Sequence, residues 1–274
     1  MRVVEYRHIS AHSGDPAPRI GKAWDRMLLL RSFIAYGVII QLGLAASVWM
    51  PGCAGQPSEP NVLLAGNGTE PAALDPHLVS GVSEHRILSA LFEGLATMDP
   101  GSLEPEPAAA SRWEISDDGL VYRFYLDPDA RWSDGTPVKA EDFVYAWRRM
   151  LTPALGAEYA YMLHCLAGAR DFNEGRAADF SAVGARALSD DVLEVRLEHP
   201  TPYFLRMQSH FAWYPVKREV VEASGRIDDR NNPWARPGTL VSNGPFRLAV
   251  WQPNDQIRVV RNPFYHRADK VRLN

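Results

Sequence analysis

Apolar and polar positions along this chain fall into blocks whose period changes from segment to segment. Glu84, Ile87, Leu88, Leu91, Phe92 and Leu95 follow i, i+3, i+4 spacing, which predicts a helix over 84–93 with Ser83 as its N-cap. A second helix is predicted over 140–151, with Phe143, Val144, Trp147 and Leu151 on one face and Arg148 and Arg149 off it. Residues 121–126 (VYRFYL) are rich in strand formers and follow the Asp117-Asp118-Gly119 turn. Residues 61–65 (NVLLA) read as a short buried strand that Gly66-Asn67-Gly68 stops. Two hairpins are expected, 183–188 with 192–197 across Ser189-Asp190-Asp191, and 246–251 with 257–261 across Gln252–Asp255. A short helix over 217–224 has Gly225 as its C-cap. Strands and helices mix without a regular βαβ alternation, so the class is mixed α+β or a complex α/β.

The N-terminal region breaks this pattern. Residues 32–49 (SFIAYGVIIQLGLAASVW) hold Gln41 as their one strongly polar side chain, Arg26 and Arg31 precede them, and Met50-Pro51-Gly52-Cys53 follows. A charged region, an apolar region and a small residue before cysteine resemble a bacterial lipoprotein signal, in which Cys53 becomes the lipidated first residue. The same stretch also meets the lower length for a single membrane anchor. Met50 and Pro51 depart from the usual residues before Gly-Cys. Met1–Asp25 is long for a charged region, which points to synthesis starting at Met27. On either reading 1–52 is an export segment outside the fold, and 53–60 is a small, polar, Pro-containing tether.

Charge supports that division. Residues 1–53 carry six Lys/Arg against three Asp/Glu, while the whole chain of 274 residues has 29 against 33 and a net charge of −4. An acidic body argues against general nucleic-acid binding. Two cysteines, Cys53 and Cys165, rule out a disulfide scaffold and a four-thiolate zinc site. With Cys53 lipidated, Cys165 is a lone thiol read as a small buried hydrophobe.

The search for chemistry gives little. There is no H-E-x-x-H, G-x-S-x-G, Walker A or dinucleotide fingerprint. Asp127-Pro-Asp129 with Asp134-Gly135 only faintly matches a calcium loop, because Arg131 and Trp132 break the ligand alternation. Turn chemistry accounts for it. His77, His85, His164 and His210 have no metal-ligand spacing, and paired acids such as Asp117-Asp118 and Glu141-Asp142 sit at turns and helix starts. Nothing here argues for an enzyme, and no cofactor or metal is expected.

Four stretches carry a more specific signal. They are Leu74-Asp75-Pro76-His77 followed by Gly81-Val82 and Leu91-Phe92-Glu93-Gly94-Leu95; Trp113-Glu114 with Asp118–Leu126; Trp132-Ser133-Asp134-Gly135-Thr136-Pro137-Val138 with Ala140–Val144; and Ser242-Asn243-Gly244-Pro245-Phe246 with Trp251 and Arg261-Asn262-Pro263-Phe264-Tyr265. In this order and spacing they resemble the solute-binding proteins of peptide ABC importers, extracellular solute-binding family 5, most closely the oligopeptide-binding branch. The motif residues themselves read as fold markers that shape turns and wedge them against helices.

That resemblance implies a type II periplasmic-binding-protein fold that closes on an extended peptide by a hinge. Here 61–94 and 239–274 would form an incomplete first lobe, and 95–238 the smaller domain inserted in it. The chain stops where the family continues into its second large lobe. The implied function is capture of oligopeptides outside the inner membrane, through main-chain contacts, and delivery to an ABC permease. By correspondence with the family, Ser80, Gly81, Val82 and Ser83 run along the peptide, Gly81 permitting close approach and Val82 offering its N–H and C=O. Tyr159 lines the cleft from the smaller domain, or alternatively packs with Tyr161. The oligopeptide branch commonly has an acid at Ser80, so a cleft charge is missing. The alternatives are a receptor for another solute, such as a nickel chelate or a murein peptide, or a non-transporting surface lipoprotein. With one cleft wall, the chain is expected to bind peptide weakly and to expose apolar surface.

Overall fold

The computed structural model describes residues 3–7 and 61–273. The apolar stretch 32–49, Cys53 and the tether therefore lie outside the described residues. In chain order the elements are β1 (Val3–Arg7), β2 (Leu63–Gly66), α1 (Val82–Leu91), β3 (Ala96–Met98), β4 (Pro105–Pro107), β5 (Ala110–Ile115), β6 (Val121–Leu126), α2 (Ala140–Leu151), α3 (Ala169–Asn173), β7 (Ala185–Ala187), β8 (Val192–Arg196), α4 (Phe204–Met207), α5 (Arg218–Ser224), β9 (Phe246–Gln252) and β10 (Gln256–Arg261). Among the described residues no helix is long and apolar enough to cross a membrane.

β6 shows how the pattern becomes structure. Its residues alternate between half-buried and buried, with Tyr122, Phe124 and Leu126 inward, as a period of two requires. Antiparallel pairing with β5 on one side and β8 on the other places it inside a sheet of order β5-β6-β8-β7, called here the second sheet. α2 packs against β7 and β8 through its buried face, which includes Phe143, Ala146, Trp147 and Met150. The Trp147 ring meets Trp213 edge-on at 5.3 Å, and its indole N–H donates to the Trp213 carbonyl at 3.2 Å, so a large apolar ring is buried without orphaning its donor. Arg149 departs from expectation. Instead of lying off the apolar face it is fully buried, because a carboxylate waits there for it.

The first sheet has the order β2-β1-β10-β9. The β9/β10 hairpin forms as predicted, and α1 packs on β9. The occupant between β2 and β10 was not expected. Val3–Arg7 pairs parallel with β2, Val4 facing Leu63, and antiparallel with β10, Val3 facing Val260. The sequence reading puts 1–52 outside the fold, yet VVEYR has strand-forming composition and the sheet has a place for it. β2 is not the buried strand its composition suggested: Leu63 and Leu64 are both exposed, because nothing among the described residues covers that side of them.

Two segments cross between the sheets side by side. The Glu93 N–H donates to Asn243 Oδ1 at 3.1 Å, Asn243 Nδ2 donates to the Glu93 carbonyl at 2.9 Å, and the Gly244 N–H donates to the Leu91 carbonyl at 2.8 Å. A Cβ on Gly244 would lie 2.6 Å from the Leu91 carbonyl carbon, so this approach requires glycine. The Ser133 N–H donates to the Ser242 carbonyl at 2.7 Å, and the Ser242 N–H to Ser133 Oγ at 3.2 Å. The third motif is closed on itself as well. The Trp132 indole N–H and the Lys139 backbone N–H both donate to Asp142, whose carboxyl burial pushes up to about 6. The motif residues thus hold one another.

Candidate functional site

Asn67, Gly68, Thr69, Ala72 and residues 78–84 line an open groove of about 590 Å³, together with Arg86 and Glu158. All four residues of the 80–83 segment lie on it. Ser80 is exposed, Val82 is 69% exposed although apolar, and Ser83 is buried.

The helix that follows explains the local geometry. α1 begins at Val82 with Gly81 as N-cap, two residues earlier than the spacing suggested and with Ser83 inside the first turn. Glu84 therefore occupies the third helical position, where a carboxylate folds back on the helix start. It accepts from Ser83 Oγ at 2.8 Å and from the Ala72 N–H at 2.9 Å, and Ser83 Oγ accepts from Thr69 Oγ1 at 3.1 Å. A Cβ on Gly81 would collide with the Glu84 carboxylate, so the room that glycine leaves is taken by this chain's own acid. The expected main-chain roles change accordingly. The Gly81 carbonyl accepts from the His85 N–H at 3.1 Å. The Val82 carbonyl faces down the helix, whereas the N–H groups of its first turn have no intrahelical acceptor.

Tyr159 reaches this rim from the other side. Its hydroxyl donates to the Ser80 carbonyl at 3.1 Å, so the structure brings together two residues 79 positions apart. Its ring packs on His210 at 5.2 Å, Phe211 at 5.6 Å and Tyr161 at 6.0 Å. Tyr159 thus packs against Tyr161, and the same side chain ties its hydroxyl to the backbone of the 80–83 segment. Burial, then the neighbouring His85, pushes His210 down to about 4, so it serves as a neutral aromatic. Cys53, the expected lipidation site, lies outside the described residues.

Sequence reasoning missed Glu84, which supplies a carboxylate close to where Ser80 lacks one. The signal was present, but placing the N-cap at Ser83 put Glu84 at the first helical position and hid its role. It also missed the anchor under the rim. Asp75 takes two hydrogen bonds from Arg149, Nη1 at 2.9 Å and Nη2 at 2.6 Å, and a third from the Trp234 indole at 2.9 Å. Arg149 Nη1 lies 2.9 Å from His77 Nδ1, and Nε donates to the Ile227 carbonyl at 3.0 Å. Burial alone would raise Asp75, but the charge and hydrogen bonds of Arg149 hold it below the usual carboxylate range. Burial, then Arg149, pushes His77 down to about 3, so it is neutral and accepts from the guanidinium.

Two larger hollows, of about 930 and 960 Å³, lie elsewhere and contain none of the expected site residues. The first is edged by Cys165, whose thiol burial pushes up to about 12, far from a reactive thiolate.

Residues 104–274 match the family described as bacterial extracellular solute-binding proteins, family 5 Middle. The periplasmic oligopeptide-binding protein OppA of Escherichia coli is 37% identical over 251 residues, 89% of this chain and 44% of that protein. Haemophilus influenzae OppA, solved in complex with RPPGFSPFR, superposes with a TM-score of 0.70 at 34% identity, covering 76% of this chain and 38% of that one. The Escherichia coli murein tripeptide binding protein MppA superposes at 0.69 with 33% identity, covering 75% and 39%. The chain thus spans less than half the length of these relatives.

Proposed function

Because the chain belongs to the family 5 bacterial extracellular solute-binding proteins, we propose that it supplies one wall of a cleft that captures extended oligopeptides outside the inner membrane and serves an ABC importer. Binding is non-covalent. The observation that carries this reading is the rim itself: an exposed 80–83 segment with free first-turn N–H groups, braced by the Tyr159 hydroxyl and open to an unfilled groove. Main-chain donors recognise what every peptide shares, so side-chain tolerance follows. The domain division at 94/95 and 238/239 is part of the proposal and is supported by the pairing of strands: those of 61–94 and 239–274 share the first sheet, and those of 95–238 form the second sheet and the small β3–β4 ribbon.

A clean test is Val82→Pro. Proline is favoured at the first helical position, and Gly81 at φ −89°, ψ 157° has the backbone that precedes proline, so the variant removes one N–H and little else. Titration with tri- to pentapeptides should show weak binding by the wild type and a loss of about 1 kcal/mol in the variant. Equal affinity would remove Val82 from the site. A murein tripeptide belongs in the same titration, since the MppA match is as close in structure as the OppA match.

Envelope localisation with Cys53 as the lipid-bearing residue is also proposed. It has a structural consequence: cleavage before Cys53 removes β1 and exposes the facing edges of β2 and β10. The intact mass of protein from the membrane fraction distinguishes a lipidated chain starting at Cys53 from one that keeps Val3–Arg7.

A further inference from the structure

His266 lies between two carboxylates. Its Nε2 is 2.6 Å from Glu93 Oε1, its Nδ1 is 3.1 Å from Asp127 Oδ2, and its side chain is 2% exposed. A neutral imidazole has one N–H, so it can donate to one of these acids and must turn a lone pair toward the other. The imidazolium donates to both. No hydroxyl or thiol competes for either nitrogen, so the arrangement is a bridge and not a relay to a nucleophile.

The three residues come from separate places. Glu93 follows α1 where the chain crosses between the sheets, Asp127 follows the C-terminal end of the interior strand β6 of the second sheet, and His266 follows β10. The other facing groups are accounted for. Arg267 Nη2 lies 3.6 Å from Glu93 Oε2 and its Nε 3.5 Å from His266 Nε2, the one neighbouring cation that opposes the imidazolium; the Tyr265 hydroxyl donates to Glu93 at 2.8 Å, the Asp129 N–H donates to Asp127 at 2.9 Å, and the Tyr214 phenol feels the charge of Glu93. With His266 charged, two cations meet two anions. With His266 neutral, two carboxylates share the single charge of Arg267, and the more buried Glu93 has few other partners to compensate.

We propose that His266 is a proton-operated clamp, closed as the imidazolium and released on deprotonation, that ties the segment after β10 to the inter-sheet crossing and to the second sheet at once. It rests on these contacts and is independent of the peptide reading.

The electrostatics agree in direction. Burial and, more weakly, the charge of Arg267 push His266 down, but hydrogen bonding and attraction by Glu93, then the hydrogen bond to Asp127, outweigh them, so the imidazole titrates above its ordinary value of about 6.5. A group raised in the folded state contributes stability that is complete below its unfolded value and lost as pH rises through the folded one. Asp127 works at the other end. Burial would raise it, but the Asp129 N–H and His266 hold it below the carboxylate range, so its share is lost only in acid.

The test is an NMR titration of the full chain with labelled histidine, paired with hydrogen exchange at 262–267. The expected result is a His266 midpoint above the ordinary histidine value. Amide protection there, corrected for base catalysis, should fall through that midpoint by roughly tenfold for each unit of displacement. His266→Gln should remove the pH step. Asp127→Asn should lower the midpoint, and it serves where the glutamine variant does not fold. A midpoint at or below the ordinary value, or protection unchanged across it, overturns the clamp.

Discussion

The guanidinium of Arg149 lies fully buried against Asp75, and the imidazole of His266 lies nearly as deep between Glu93 and Asp127. Both ties join residues near the first sheet to elements of the second. They differ in the cation. Arginine keeps its proton at any pH a protein meets, so the Asp75 tie fails only in strong acid, when the carboxylate is protonated. Histidine gives up its proton near neutrality, so the Glu93–Asp127 tie fails in base. Burial drives both, since it makes an unpaired charge expensive, but only one responds to physiological pH.

Breaking the permanent tie should have the largest effect. Asp75→Ala strands the Arg149 charge in the core, and we expect a loss of about 3–5 kcal/mol, which for a body of this size is roughly 10 °C or more in thermal unfolding. Replacing both partners by apolar residues of similar size, as in Asp75→Leu with Arg149→Met, should recover most of it. A single substitution costing under about 1 kcal/mol would mean that the tie is not the anchor its burial indicates.

Gly244→Ala comes next, because its Cβ meets the backbone of Leu91, which has no flexible end to move aside. A loss of about 2 kcal/mol is expected in denaturant unfolding. The conditional tie ranks third and carries a sign. Glu93→Gln should cost about 1.5 kcal/mol at pH 6 and progressively less as pH rises through the His266 midpoint, whereas the Asp75 variant should cost the same at both ends of that range. Parallel pH profiles for the two variants would erase the distinction between the ties.

The uncharged, exposed tie from Tyr159 to Ser80 should count least. Tyr159→Phe keeps the ring packing and loses one hydrogen bond, so about 0.5–1 kcal/mol is expected. If it costs more than Glu93→Gln, charge and burial are not what rank these contacts.

Much of this was legible beforehand because it is local. Periodicity placed β6 and α2 to the residue, and the turn residues placed both hairpins. Where the reading slipped, a non-local partner was responsible. Arg149 looks like a solvated residue on an amphipathic helix until Asp75, 74 positions away, is folded against it. Ser83 looks like an N-cap until Ala72 and Thr69 claim the Glu84–Ser83 pair. Asp127 was explained as a turn former, which it is for the Asp129 N–H, and nothing near it in sequence announces His266. Val3–Arg7 was set aside with the basic, apolar N-terminal pattern, although its strand composition was visible.

By itself the sequence determined the principal helices and hairpins, the mixed class and the family, because these depend on spacing within a few turns of chain or on motifs in register. Only the tertiary structure decided which charges are buried and paired, which strand fills the place between β2 and β10, and that Tyr159 braces Ser80. Those outcomes turn on the cost of leaving a charge, a strand edge or a backbone carbonyl without its partner. That cost is set by surroundings assembled from distant parts of the chain.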